Sequence, residues 1–415
     1  LLWELGRELG QEGWCESALR WAVERTTRDM SADGWIQGEG KGCSGFYQMV
    51  GLEFLGLLAR ASRDEALLDL FGRGFRTVAA WCSPDMMYAG NFGTRSTWFK
   101  QLKPVPVLVA AALGDSQAAR WVREYGRPEW SGDLSLWREA LATPVVEEER
   151  EGPGAVRSFA SIHSVKVSHG DWTAWWTANP LSLWARGWIG LHHSKAGPVF
   201  STLHSLETEI EKSKLLIGDT GDWAGFPKVT VNSGSGSFSS HRDAQTEWET
   251  DVGNLGISWR ERLLSRRDEA GGVMQGEIMW NTGGIHLSVD LLEVNPGSGV
   301  TLDFHFLKRP EQHFGIWEGE HAEAVRRGAM PRTSGHFTDV EFDPGAPGLC
   351  GFQIGRSVFF LSWEALPGCT RTVAALAANR GLHTGDLGGG RLRFEFGSWP
   401  SHPREKLSFY LEVKP

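Results

Sequence analysis

Near residue 145 the spacing of apolar residues changes period, and that change constrains the fold more than any other feature of the chain. Before it, apolar residues recur at helical spacing in segments 1–29, 46–60, 63–81, 94–113, 116–125 and 133–141, separated by short breakers. These predict antiparallel helical hairpins. An acidic linker (147–151) and the turn Gly152-Pro153-Gly154 follow. Beyond them, short runs rich in Trp, Val, Phe and Thr predict strands at 156–167, 172–177, 184–192, 198–204, 228–231, 256–264, 273–280, 284–293, 299–306, 336–342, 357–363, 391–396 and 407–413. So many strands with Gly/Pro/Asn/Asp turns and no long helices between them predict a large antiparallel sandwich. The expectation is an α+β chain of two domains: a helical domain at 1–146 and an antiparallel β-sandwich domain at 147–415. Six helices are too few to close a ring on themselves, so a ring-type helical domain would be incomplete.

Length and charge narrow the function classes. With 415 residues, 41% of them hydrophobic, the chain can build two cores. The longest apolar run, 105–113, contains Pro106 and falls well short of the ~20 residues of a membrane span, so a soluble protein is expected. The chain opens at Leu1 within a helical pattern, with neither an initiator Met nor a signal-peptide pattern, and the expectation is that a further part lies upstream. A formal net charge of −9 argues against a nucleic-acid-binding surface. Two local basic clusters, RSTWFKQLK (95–103) and RERLLSRR (260–267), read either as solvated faces or as a groove for an anionic substrate. The five cysteines form no CxxC, which argues against a cysteine zinc site; Cys350 and Cys369 are the pair that could join.

The segment DGWIQGEGKGCSGFYQMVGLEFLGLLAR (33–60) carries the most chemistry. Gly38, Gly40, Gly42 and Gly45 let the backbone approach a ligand closely. The apolar residues that follow, Phe46, Val50, Leu52, Phe54, Leu55, Leu57 and Leu58, predict a buried helix with Tyr47 in its first turn. The chain has four tyrosines against 21 tryptophans, so a phenol at this junction stands out, although an ordinary loop with a core-capping Tyr gives the same pattern. GEGKG (38–42) lacks the spacing and the preceding strand of a phosphate loop. No GxSxG elbow is present. His192 and His193 are adjacent, so a strand points them to opposite faces. Asp219 and Asp222 in GDTGDW suit a structural divalent cation and a turn equally; no cofactor is expected. Tryptophans such as Trp172, Trp175, Trp176, Trp184 and Trp188 suit a core, and their flat rings also suit sugar stacking.

The loop DGWIQGEGKGCSGFYQM followed by VGLEFLGLLARA resembles the Asp-Gly-aromatic … Gly … Tyr segment of the toroid-fold polysaccharide lyases: hyaluronate/chondroitin lyases, heparinase II/III-like enzymes and certain alginate lyases. The resemblance implies an (α/α) toroid ahead of an antiparallel β-sandwich, the order read above from periodicity. It also implies that Tyr47 donates a proton to the leaving oxygen and can serve as base. NFGTRS (91–96) resembles the family's Asn/Arg-bearing loop, which implicates Asn91 and Arg95, and VSHGDW (167–172) resembles its opening sandwich strand, a weaker match that implicates His169. Gln37, Glu39, Trp98, Lys100 and Trp172 flank these positions as candidate substrate-binding residues. The chain departs from the hyaluronate-lyase-like pattern at one point, since Gln37 and Glu39 occupy the region where those members carry a His. The resemblance further implies an acidic polysaccharide as partner, and a secreted or periplasmic location because such polymers lie outside the cell.

Eliminating across a uronic acid requires loss of the C5 proton, which becomes acidic once the neighbouring carboxylate is neutralised; Asn, Arg or His donors perform that task. Tyrosine phenols ordinarily titrate near ~10 and are poor bases at neutrality. A nearby cation, for which Arg95 is the candidate, would favour the phenolate, whereas the neutral phenol is already a competent acid. Tyr88 in MMYAGN is a second candidate for the same role. Two other classes remain open. A glycoside hydrolase on a helical scaffold would need two opposed carboxylates, for which Glu39 with Asp33 or Glu53 can be proposed. A non-catalytic carbohydrate-binding protein of the same fold would bind without turnover.

Overall fold

In the computed structural model the described residues are 1–37, 43, 45–89, 100–146, 154–179, 187–194, 197–201, 227–240, 243, 245–265, 267–281, 284–308, 313–318, 340–342, 347–354, 357–377, 388–399 and 406–414. The chain divides into two compact units. The first comprises Leu1–Gly152 with two short returns, Phe159–Ile162 and Leu181–Leu183; the second holds the rest.

Seven α-helices are described in the first unit: α1 (Leu2–Glu8), α2 (Glu12–Asp29), α3 (Gly45–Ser62), α4 (Glu65–Trp81), α5 (Pro104–Ala112), α6 (Ser116–Tyr125) and α7 (Leu134–Ala142). Asp side chains start three of them. Asp64, Asp115 and Asp133 accept the N–H groups of Leu67, Ala118, and Ser135 and Leu136, satisfying donors that a first helical turn leaves without partners. Two helical expectations are corrected. Segment 1–29 is not one helix: the chain breaks at Gly10, which takes φ +65° and lets α2 fold back on α1. Of the expected segment 94–113 the described part begins at Lys100, and within it the helix is α5, starting at Pro104, where a missing N–H costs nothing. Just before it, β2 (Lys100–Gln101) pairs antiparallel with β1 (Met87–Tyr88). The expected buried stripe on α3 is corrected as well. Leu52 and Leu55 are buried with Met49 and Ala59, but Phe54 and Leu57 face outward.

The second unit holds two sheets. The smaller runs in the order β3 (Gly154–Phe159), β4 (Ser164–His169), β5 (Trp172–Thr177), β6 (Gly187–His193) and β7 (Gly197–Ser201). The expected single strand 156–167 is in fact β3 and β4, separated by a 3-10 turn at Ala160–Ile162.

The larger sheet has fourteen antiparallel strands. They are β8 (Lys228–Ser233), β9 (Gly236–Ser239), β10 (Glu247–Asp251), β11 (Gly256–Leu264), β12 (Ala270–Asn281), β13 (Gly284–Leu292), β14 (Gly299–Lys308), β15 (His313–Glu318), β16 (Val340–Phe342), β17 (Gly348–Ile354), β18 (Ser357–Trp363), β19 (Cys369–Ala377), β20 (Gly388–Phe396) and β21 (Leu407–Lys414). The order is β15-β17-β18-β21-β13-β12-β11-β9-β8-β14-β20-β19-β16, with β10 on β11.

Strand alternation explains the core. On β12, Met274, Ile278 and Trp280 are buried, while Gln275, Glu277 and Met279 alternate with them. Alternate residues of the small sheet, including Val165, Val167, Trp172, Ala174 and Trp176, join one hydrophobic core with Ile257, Trp259, Leu287, Phe304, Phe394 and Phe409 of the large one. The architecture is therefore mixed helix and sheet, dominated by a large antiparallel sheet. Cys369 is a free thiol, with Sγ near the Arg371 carbonyl and the Thr372 hydroxyl, so it does not make the bond to Cys350 that the sequence left open. No described helix is long and apolar enough to cross a membrane.

Candidate active site

The segment Asp29–Gln37, which leads towards Tyr47, is tied down almost residue by residue. Gln37 N donates to Asp29 O at 2.7 Å, Ser31 N to Trp35 O at 2.7 Å, and Trp35 N to Ser31 Oγ at 2.9 Å. Isolated bridges join Met30 to Ile36 and Gln37 to Cys43. Gly34 takes φ +91°, and a Cβ there would lie 2.4 Å from Thr77 Oγ1 and 2.9 Å from Arg73 O on α4. Both the backbone sign and the space demand glycine.

Gln48 fastens this segment to the helices, and sequence reasoning missed it. Its side chain is fully buried in the first turns of α3. Oε1 accepts Ile36 N at 2.6 Å, and Nε2 donates to Gly34 O at 3.1 Å and Gly74 O at 3.3 Å. One amide thus satisfies the Ile36 N–H and the Gly34 carbonyl and adds a second bond to the Gly74 carbonyl of α4, tying the segment to that helix. The adjacent residue is Tyr47, half-buried at the N-terminal end of α3.

Beneath the loop lies an aromatic base. Trp35, Trp81 and Phe159 pack mutually edge-to-face, with centroids 6.1 Å (Trp35–Trp81), 6.1 Å (Trp35–Phe159) and 5.0 Å (Trp81–Phe159) apart. Asp33 Oδ2 accepts both Ser161 N at 2.9 Å and Ser161 Oγ at 2.8 Å. Burial first, and then the charge of Asp33, push the Cys43 thiol up to about 12.

The candidate residues fall into three groups. Tyr47 and Gln37 sit in the arrangement just described, in the first unit. His169 and Trp172 lie in the second unit, opposite each other across the hairpin mouth of β4 and β5. Trp172 is nearly buried and stacks edge-on against His193 at 4.8 Å; His192 and His193 are both buried. Among the described residues, His169 Nδ1 is buried without a hydrogen-bond partner. Glu39, Asn91, Arg95 and Trp98 lie outside the described residues, as do Asp219 and Asp222; of Lys100 only the backbone, in β2, is described.

Tyr88, the second candidate phenol, is buried in β1, and burial followed by the nearby Cys82 pushes its pKa up. It packs as a core residue. Of the carboxylates proposed for a hydrolase, Glu39 lies outside the described residues, Asp33 holds Ser161, and Glu53 pairs with Lys103 Nζ at 2.8 Å. In the second basic cluster, Arg260 pairs with Glu293 at 3.2 Å and Arg262 with buried Asp243 at 2.8 Å, which makes these two arginines structural. Among the described residues, no group of three or more His, Cys, Asp or Glu side chains is placed to hold a metal ion.

No protein-family model matches the chain, and no curated sequence matches it. Solved structures do. Heparinase III with methylated lysines matches at TM-score 0.54 and 9% identity, over 97% of this chain and 55% of that one. Heparinase III in another crystal structure matches at TM-score 0.52 and 8% identity, over 97% and 56%. A mutant heparan sulfate lyase from Pedobacter heparinus matches at TM-score 0.49 and 9% identity, over 97% and 56%. The chain therefore has a polysaccharide-lyase fold, and it spans about half the length of the lyases it matches. At these identities the likeness is one of fold.

Proposed function

We propose that this protein is a polysaccharide lyase that cleaves an acidic, uronate-containing polysaccharide by β-elimination. The observation that carries the reading is Tyr47, placed at the open end of α3 beside a loop locked by Gln48, in a chain with the heparinase III fold. In this reading Tyr47 protonates the departing O4 and, as phenolate, removes the C5 proton. Asn91 and Arg95 hold the substrate carboxylate, and His169 assists. Gln37, Glu39, Trp98, Lys100 and Trp172 contact the chain of sugars. The anchoring of segment 29–37 suits such a role, because a proton donor contributes most when its position is fixed before substrate arrives. The engagement of Asp33 and Glu53 in structural pairs weighs against the hydrolase alternative, which needs two opposed free carboxylates. The reaction needs no cofactor, and a secreted or periplasmic location follows from the substrate.

Ultraviolet absorbance followed during incubation with alginate, hyaluronan, chondroitin, heparan and glucuronan tests the reading, because elimination creates an unsaturated uronide and hydrolysis does not. A rising signal that is lost in Tyr47→Phe is the expected result. Reducing ends released without the chromophore would establish a hydrolase, and binding without either product would establish a carbohydrate-binding protein.

A further inference from the structure

A groove of about 750 Å³ opens on the helical unit, between α4 and the turn that joins α5 to α6. It lies towards the C-terminal end of α3, whereas Tyr47 marks the N-terminal end of that 18-residue helix. Its volume falls within the ~300–1,000 Å³ range of small-molecule sites.

Two arginines line the groove, Arg63 and Arg76, both exposed, and neither forms a salt bridge among the described residues. Their neighbours behave differently. Arg60 binds Glu139 at 2.9 and 3.0 Å and Asp133 at 3.2 Å, and Arg25 and Arg28 both pair with Asp29. The one acid on the groove wall, Asp115, has an oxygen committed to the Ala118 N–H at 2.8 Å. Arg63 also feels the charge of Glu139, which leaves Arg76 as the groove arginine with no acid acting on it among the described residues, in a chain of net charge −9.

The packing of α4 sets where one of these charges lies. Gly72 has no side chain where a Cβ would lie 3.2 Å from Arg76 Nη1 and 3.8 Å from Cζ, so the guanidinium folds back along α4. Phe71 and Phe75, stacked at 5.9 Å and 1% exposed, form a dry floor that raises the strength of charge interactions above it. Planar guanidinium forks match carboxylate and sulfate oxygens.

We infer that this groove is an accessory site for the carboxylate or sulfate groups of an acidic saccharide, separate from the chemistry at Tyr47. The saccharide class rests on the lyase reading; the anion preference rests on Arg63 and Arg76 alone.

Calorimetric titration of the whole protein with a defined heparan sulfate tetrasaccharide, a neutral maltotetraose and inorganic sulfate tests it. The comparison uses wild type, Arg76→Ala, Arg76→Glu, the double variant Arg63→Ala/Arg76→Ala, and Tyr47→Phe as a probe of independence, with circular dichroism to check folding. Expected are tetrasaccharide binding that survives Tyr47→Phe, weakens roughly tenfold in Arg76→Ala and further in Arg76→Glu and the double variant, and falls with salt. Binding unchanged in the folded arginine variants overturns the inference, as does no tetrasaccharide binding by wild type. Equal affinity for inorganic sulfate overturns the saccharide assignment. Arginine-dependent binding in a protein that proves to lack lyase activity leaves the site standing and removes only the lyase reading.

Discussion

Gln48 Oε1 accepts the backbone N–H of Ile36 at 2.6 Å, and through that bond the residue next to Tyr47 fixes the loop before it. Gln48→Ala leaves the part-buried Ile36 N–H and the buried Gly34 carbonyl without their side-chain partner and removes a second bond from the Gly74 carbonyl of α4. Losing these bonds is expected to cost about 2–3 kcal/mol, read as a lower urea midpoint. If Tyr47 is the acid, activity falls beyond what the unfolded fraction explains. A midpoint within error of wild type would show that the loop is held by other means.

Tyr47 and Tyr88 are separable by one substitution each. Tyr47→Phe should abolish absorbance growth in a protein that still folds, as circular dichroism reads. Tyr88→Phe should keep full activity, because that ring is buried in the core. The reverse pattern, measured on the same polymer, would transfer the chemistry to Tyr88.

Phe159 completes the ring cluster beneath the loop, 5.0 Å from Trp81 and 6.1 Å from Trp35. Phe159→Ala should destabilise the protein by about 3–5 kcal/mol, seen in thermal or urea melts. Phe159→Leu, which refills most of the volume, should recover the greater part. Equal losses for the two variants would mean that ring geometry rather than volume is what matters.

Alkaline pH should loosen the protein through Cys43. Its thiol, ordinarily 9.0, is pushed to about 12 by burial and then by Asp33, so between those values the folded chain holds a proton that the unfolded chain has released. Its stabilising contribution is therefore complete below pH 9 and declines as pH rises towards 12. Burial of Tyr88 acts with the same sign, from its ordinary 10.0 upward. Urea midpoints at pH 8 and pH 10.5 should differ less in Cys43→Ala than in wild type; parallel shifts would rule Cys43 out.

The helices-then-strands order was legible because a change of period survives without any knowledge of contacts. Strands β5, β11 and β18 fall at the bounds their residues suggest. Strand β19 was not legible: CTRTVAALA is rich in helix-forming Ala and Leu, and only its pairing with β16 and β20 makes it extended. Strand β17 was hidden by its glycines, one of which, Gly348, leaves the space that Trp363 fills. At the site, Tyr47 announced itself by following the glycine-rich loop. Gln48 did not, because its partners lie 12, 14 and 26 residues away and a buried amide carries no local signature.

The first unit includes Phe159–Ile162, a stretch encoded after its last helix and after the start of β3. Phe159 closes the aromatic cluster, and Ser161 grips Asp33. A recombination event that joined the helices to a foreign partner at residue 152 would deliver them without either residue. The two halves of this gene are therefore expected to descend as a single heritable block, with any exchange of parts confined to loops outside 29–37 and 159–162.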